Sequence, residues 1–128
     1  MKELLLDSSF LLRIAEEPTD WENQVDQLFG QYMAVILSSV ESELKSIASG
    51  KGKRAKMAKV ALEISSRFPV VERNGPVDKT ILDFASERDA VVATSDAELA
   101  SSLLERGIKV ISLRNRRIFV VSKRVKKR

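Results

Sequence analysis

Four acidic residues interrupt this sequence where an ordinary soluble domain would place something apolar or leave a turn. Asp7 follows the apolar run ELLL, and Asp96 follows VVATS. Glu43 and Asp78 lie in segments of helical period. Helix neighbours stand three and four residues apart, which allows each acid to be assigned to a face. Val40, Leu44 and Ile47 form one stripe, and Glu43 falls inside it, whereas Glu41 aligns with Lys45 and Ala48. Asp78 leads Ile81, Leu82 and Ala85, whereas Asp83 aligns with Lys79 and Glu87. Asp96 leads Leu99, Ala100, Leu103 and Leu104, whereas Glu98 aligns with Ser101, Ser102 and Glu105. Acids on core-facing lines need a partner, and no Lys or Arg shares these stripes. Converging carboxylates repel and gain protons unless a cation sits among them. A divalent metal ion meets that need. Asp7, Asp78 and Asp96 also stand near helix starts, where aspartate is a favoured cap, so each taken singly has a structural explanation. Glu43 has none of that kind, although a glutamate there could also snorkel to solvent.

The residue inventory restricts the chemistry further. The 128 residues contain no Cys and no His. Thiol nucleophiles, disulfides, Ser-His-Asp triads and His-ligated zinc are therefore excluded. Carboxylate oxygens are hard ligands and suit Mg²⁺ or Mn²⁺. The net charge of +4 inclines the chain toward a polyanionic partner or serves solubility. The runs KGKRAKMAK (51–59) and KRVKKR (123–128) could grip phosphates or form a solvated helix face and a basic tail. The seven aromatic residues lie mostly in apolar contexts and offer no evident stacking platform; Trp21 is expected to pack beneath a helix. No apolar run reaches the length of a membrane span, and the N-terminus makes a poor signal peptide, so a cytoplasmic protein is expected.

The elements that must position these acids alternate along the chain. ELLLD (3–7), YMAVILS (32–38), FPVVE (68–72), AVVAT (90–94) and GIKVISL (107–113) read as strands covered on both faces. RIFVV (117–121) adds an edge strand. Helices are expected over 8–16, 20–30, 39–49, 52–66, 77–88 and 96–106. Turn signals fall at Ser49-Gly50-Lys51-Gly52, Asn74-Gly75-Pro76 and Arg106-Gly107. Such alternation predicts an α/β protein: a mainly parallel sheet with helices on both sides, in one domain over 1–122 and a tail over 123–128. Ligands of such sheets bind beyond the carboxyl ends of the strands, where Asp7 and Asp96 stand.

Taken in order, LLLDSSFLL, VESELKSIASGKGKRAKMA, VDKTILDFA and VVATSDAEL resemble the PIN-domain nucleases, most closely small archaeal PIN proteins and those of ribosome biogenesis; toxins of toxin–antitoxin pairs share the fold. The resemblance implies a three-layer α/β/α sandwich and Mg²⁺- or Mn²⁺-dependent hydrolysis of single-stranded RNA. It implies Asp7, Glu43, Asp78 and Asp96 as catalytic and metal-binding residues, with Ser9 and Thr94 as their polar neighbours. Ser9 stands where many members have asparagine, and Lys79 where close relatives often have a second aspartate. A homodimer, and an antitoxin or ribosome-assembly partner, are implied as well. A non-catalytic scaffold or RNA-binding module of the same fold is the alternative. A phosphoacceptor receiver domain is disfavoured, because Asp7 has no adjacent acid.

Overall fold

Six strands and six helices alternate as expected in the computed structural model, which describes residues 2–123. The strands are β1 (Lys2–Leu6), β2 (Tyr32–Leu37), β3 (Val70–Val71), β4 (Val91–Ala93), β5 (Val110–Arg114) and β6 (Arg117–Val120). The helices are α1 (Ser8–Glu16), α2 (Trp21–Phe29), α3 (Ser38–Ala48), α4 (Lys53–Ser65), α5 (Val77–Arg88) and α6 (Ala97–Glu105). The strand order is β3-β2-β1-β4-β5-β6, and every pairing is parallel except the β5–β6 hairpin. The fold is thus an α/β sandwich with a mainly parallel sheet. Residues 124–128, most of the expected basic tail, lie outside the described residues.

The central strands are buried on both faces. Leu4, Leu5 and Leu6 of β1 and Val91, Val92 and Ala93 of β4 are all at most 1% exposed, which is why their sequence lacks in/out alternation. Phe10 and Trp21 pack edge-to-face at 5.6 Å, and Phe68 adds a second contact to Trp21 at 6.0 Å. Trp21 therefore lies beneath α1, as expected. Among the described residues no helix is long and apolar enough to cross a membrane.

Strands β3, β4 and β5 are shorter than the sequence suggests, and at β5 and β3 the reason is local. The run 107–113 begins its strand only at Val110, because Gly107 closes α6. Gly107 adopts φ +76, its N–H donates to Leu104 O, and that of Ile108 donates to Leu103 O. This closure satisfies the last carbonyls of the helix and needs a left-handed residue. In 68–72 only Val70 and Val71 pair, since Pro69 has no N–H to give the ladder. The edge position of RIFVV is as expected; its hairpin turn, Asn115-Arg116, has positive φ at both residues, the geometry that two-residue hairpins favour.

Candidate active site

The carboxyl ends of β1 and β4 lie side by side, and the site grows from the two peptides that follow them. Asp7 N–H donates to Ala93 O at 3.0 Å, which extends the β1–β4 pairing by one step. Asp7 is thereby delivered, 3% exposed, to the rim of the sheet. Its side chain makes no cap bond to α1, so the capping explanation does not describe it. Instead Ser9 Oγ donates to Asp7 Oδ2 at 2.6 Å, and Thr94 Oγ1 donates to the same oxygen at 2.7 Å. Each hydroxyl has one proton, and both protons are directed to Asp7. The lone pairs of the hydroxyls then accept from the next loop: Ser95 N–H donates to Ser9 Oγ at 2.9 Å, and Asp96 N–H donates to Thr94 Oγ1 at 3.0 Å. Ser9 and Thr94 form a latch between Asp7 and the 94–96 loop.

Asp96 has two roles. Its Oδ1 accepts from Glu98 N–H at 2.9 Å and Leu99 N–H at 3.1 Å, a true cap of α6. The cap fixes the rotamer and leaves Oδ2 out of the helix bonding. Glu43 is half-buried and takes a hydrogen bond from Ser8 Oγ across the α1–α3 gap. Asp78, in the first turn of α5, is exposed at the rim and makes no cap bond. A buried clasp holds α5 against α3: Ser39 and Thr80 hydroxyls lie 2.8 Å apart, one turn from Glu43 and two residues from Asp78.

Asp7, Glu43, Asp78 and Asp96 line one cavity of about 170 Å³ together with Ser8, Ser9, Leu12 and Arg54. Asp83 is paired with Lys79 at 3.0 Å instead, on the outer face of α5. Burial raises the Asp7 carboxyl above its ordinary value; the Ser9, Thr94 and Ser8 hydrogen bonds oppose this, and the charge of Glu43 adds to it. Asp78 is also raised, first by local loss of water although the residue is exposed, then by the charges of Asp96, Glu43 and Glu98. Glu98 is exposed, on the wet face the spacing gave it, yet its charge still reaches Asp78.

Hard oxygen donors gathered around a shared space, two of them, Asp7 and Asp78, raised above their ordinary values, fit a small divalent cation. Asp7, Glu43, Asp78 and Asp96 are the residues that could hold it. Among the described residues no three of them draw together into a ready-made cluster of ligand spacing. The cavity therefore presents a set of donors around a space rather than a closed cage.

Two cavity residues escaped the stripe reasoning. Arg54 enters from α4, whose start is set by Gly52 at φ +91, a conformation side chains rarely adopt. It has no carboxylate partner within salt-bridge distance among the described residues. The basic run 51–59 pointed to it, but only this one of its cations lines the cavity. Ser8 was hidden by its neighbour Ser9, since nothing local marks which serine faces which acid.

Residues 4–116 match the family described as PIN like domain. Ribonuclease VapC4 of Methanocaldococcus jannaschii is 26% identical over 127 residues, covering 94% of this chain and 97% of that relative. Ribonuclease VapC9 of Archaeoglobus fulgidus is 30% identical over 118 residues, covering 91% and 87% respectively. The fold is similar to that of the PIN domain endonuclease Utp24, with a TM-score of 0.77, 22% identity and coverage of 92% of this chain and 90% of that one.

Proposed function

The chain belongs to the PIN like domain family, and from that premise we propose that it is an endoribonuclease that hydrolyses single-stranded RNA with Mg²⁺ or Mn²⁺ held by Asp7, Glu43, Asp78 and Asp96. The observation that carries this reading is that all four acids line one cavity and none has a cation partner among the described residues. The two relatives named as ribonucleases support RNA as the substrate class.

When bound, such an ion polarises a phosphodiester oxygen and acidifies water. The protein's own groups supply position. Asp7 is held by the Ser9 and Thr94 hydroxyls, and Asp96 by its cap on α6, so two donors are fixed before any ligand arrives. Glu43 is steadied by Ser8, and Asp78 lies exposed at the rim. Arg54, at the cavity wall, is available to a phosphate oxygen of the substrate.

Purified protein should cut unstructured RNA with Mn²⁺ or Mg²⁺ and stop in EDTA. Asp96→Asn should abolish cutting, while Glu105→Gln, on the wet face of α6, should cut normally. Binding of RNA without cleavage under any divalent ion would favour the scaffold reading instead. A second copy of the chain, and an antitoxin or ribosome-assembly factor, are the protein partners we propose, in a cytoplasmic setting.

A further inference from the structure

A second hollow, of about 270 Å³, opens beside the acids between the start of α6 and the β5–β6 hairpin. Asp96 lines both spaces. The new hollow has an apolar floor that includes Ala100, Leu113 and Phe119, and cations on its rim, Arg13 and Arg114. The Arg114 guanidinium carbon lies 4.8 Å from the centre of the Phe119 ring. The hairpin that carries both is pinned to the rest of the fold: Gln24 Oε1 accepts from Ile118 N–H at 2.7 Å, and Thr19 Oγ1 donates to Arg116 O at 2.9 Å. Ser95, also in the wall, has a buried hydroxyl with no hydrogen-bond partner among the described residues.

An apolar slot with a ring and a guanidinium at one side and an orphan hydroxyl in its wall suits a flat heteroaromatic group with a polar edge. The cations say what that group is attached to. Arg13, which pairs with Glu17 at 2.9 Å, and Ser95 also line a groove of about 350 Å³ that contains Glu16 and Arg54, and Arg54 in turn lines the acid cavity. Neighbouring hollows that share Arg13, Ser95 and Arg54 thus lead from the carboxylates to the slot, and their two arginines suit a polyanionic backbone.

We propose that the slot receives one unpaired nucleobase of the RNA, adjacent to the phosphate held at the carboxylates, and so makes the enzyme select single strands. The inference rests on the ribonuclease reading for its substrate class. The base stacks against the Phe119–Arg114 pair and turns a polar edge toward Ser95. A base inside a duplex is stacked and paired, and cannot enter.

The test is an abasic scan. Short oligoribonucleotides of one sequence each carry a single abasic riboside, stepped through every position. With the wild-type protein and Mn²⁺, one position next to the cut should slow cleavage roughly tenfold, the order expected for losing one stacked base. In Phe119→Leu, which keeps apolar volume but removes the ring, that position should no longer matter. Arg114→Gln, an exposed site that does not threaten folding, should weaken the same position. A flat scan in the wild type, or an unchanged scan in both variants, overturns the slot. The same panel is then titrated by fluorescence anisotropy in EDTA, where no cutting is expected. Position-dependent binding without cleavage in any metal would remove the nuclease reading and leave the slot. Cleavage with flat scans would do the reverse, and neither binding nor cleavage would overturn both.

Discussion

The two ends of β1 treat an acid in opposite ways. At the start, Glu3 accepts from Arg88 Nε at 2.8 Å and from Nη2 at 3.1 Å, and the adjacent Lys2 pairs with Asp89 at 3.6 Å. Past the other end, Asp7 is buried with hydroxyls for company and three further acids around it. The consequences for charge are opposite too. Hydrogen bonding to Glu3, then its charge, holds the Arg88 guanidinium more firmly protonated, whereas burial pushes Asp7 toward its neutral form. One end spends its charges on closing the fold. The other keeps them uncompensated, which costs stability and makes sense only if something positive arrives.

The largest separation between the two ends should appear in cleavage. Asp7→Asn removes a charged hard ligand and should lower kcat/KM at least about a hundredfold, since a metal's charge stabilisation amounts to several kcal/mol. Glu3→Gln, at the far end of the same strand, should leave kcat/KM within about twofold. Single-turnover cleavage of one RNA by both variants measures this, and equal losses would erase the distinction between the ends.

Next in size is the response to the ion. At a hundred times its dissociation constant, Mn²⁺ should stabilise the wild type by about 2.7 kcal/mol, a rise in Tm of roughly 8–16 °C for a domain of this size. Glu3→Gln should show the same rise from a slightly lower start, and Asp7→Asn should show little of it. Thermal melts with and without Mn²⁺ decide. An undiminished shift in Asp7→Asn would take Asp7 out of the metal site.

How much of this asymmetry was legible in the sequence depends on how local its cause is. The strand–helix alternation was legible because two-face burial writes itself as uninterrupted Val, Leu and Ala in β1 and β4. Glu43, Asp78 and Asp96 were legible because helical spacing assigns each to a face, and Asp7 because it closes an apolar strand; all four line one cavity. What Asp7 and Asp96 do at helix starts was not legible. Both precede a helix, yet only Asp96 caps, because the Asp7 side chain is claimed by Thr94 from a loop 87 positions away. Arg54 was legible only as one cation of the run 51–59, for the same reason: helical spacing relates residues within one helix, and Arg54 reaches the acids from another. RIFVV reads only as an edge strand, and it is the hairpin's position beside α6 that gives Phe119 a hollow to line.

A smaller effect tests whether the acid end is held rigid. The Ser39–Thr80 clasp is buried and joins the helices of Glu43 and Asp78. Thr80→Val keeps the shape but strands the Ser39 hydroxyl, and should cost about 1–3 kcal/mol. The Ser39→Ala, Thr80→Val double variant removes both groups and should recover part of that loss, which a urea-denaturation cycle measures. Full additivity of the two losses would mean the hydroxyls do not couple the helices.

The smallest effect is the most specific, because it turns on sign. Metal-free, the folded protein holds a proton on Asp7 at pH values where the unfolded chain has already released it, since burial raises the folded value above the ordinary 3.8. The native state then binds more protons than the unfolded one, and stability falls as pH rises through that window. Below the ordinary value Asp7 is neutral in both states and costs nothing; above the raised value the cost is present in full. Asparagine carries no such charge. Any hydrogen bonding lost by the amide shifts the whole Asp7→Asn curve without changing this slope. The stability of Asp7→Asn relative to wild type should therefore climb from acid toward neutral pH and level off. Urea midpoints in EDTA across about pH 3 to 8 give the curve. A difference between Asp7→Asn and wild type that stays flat across that range would mean Asp7 is no more desolvated in the folded protein than in the unfolded chain, and the uncompensated end of β1 would lose its physical basis.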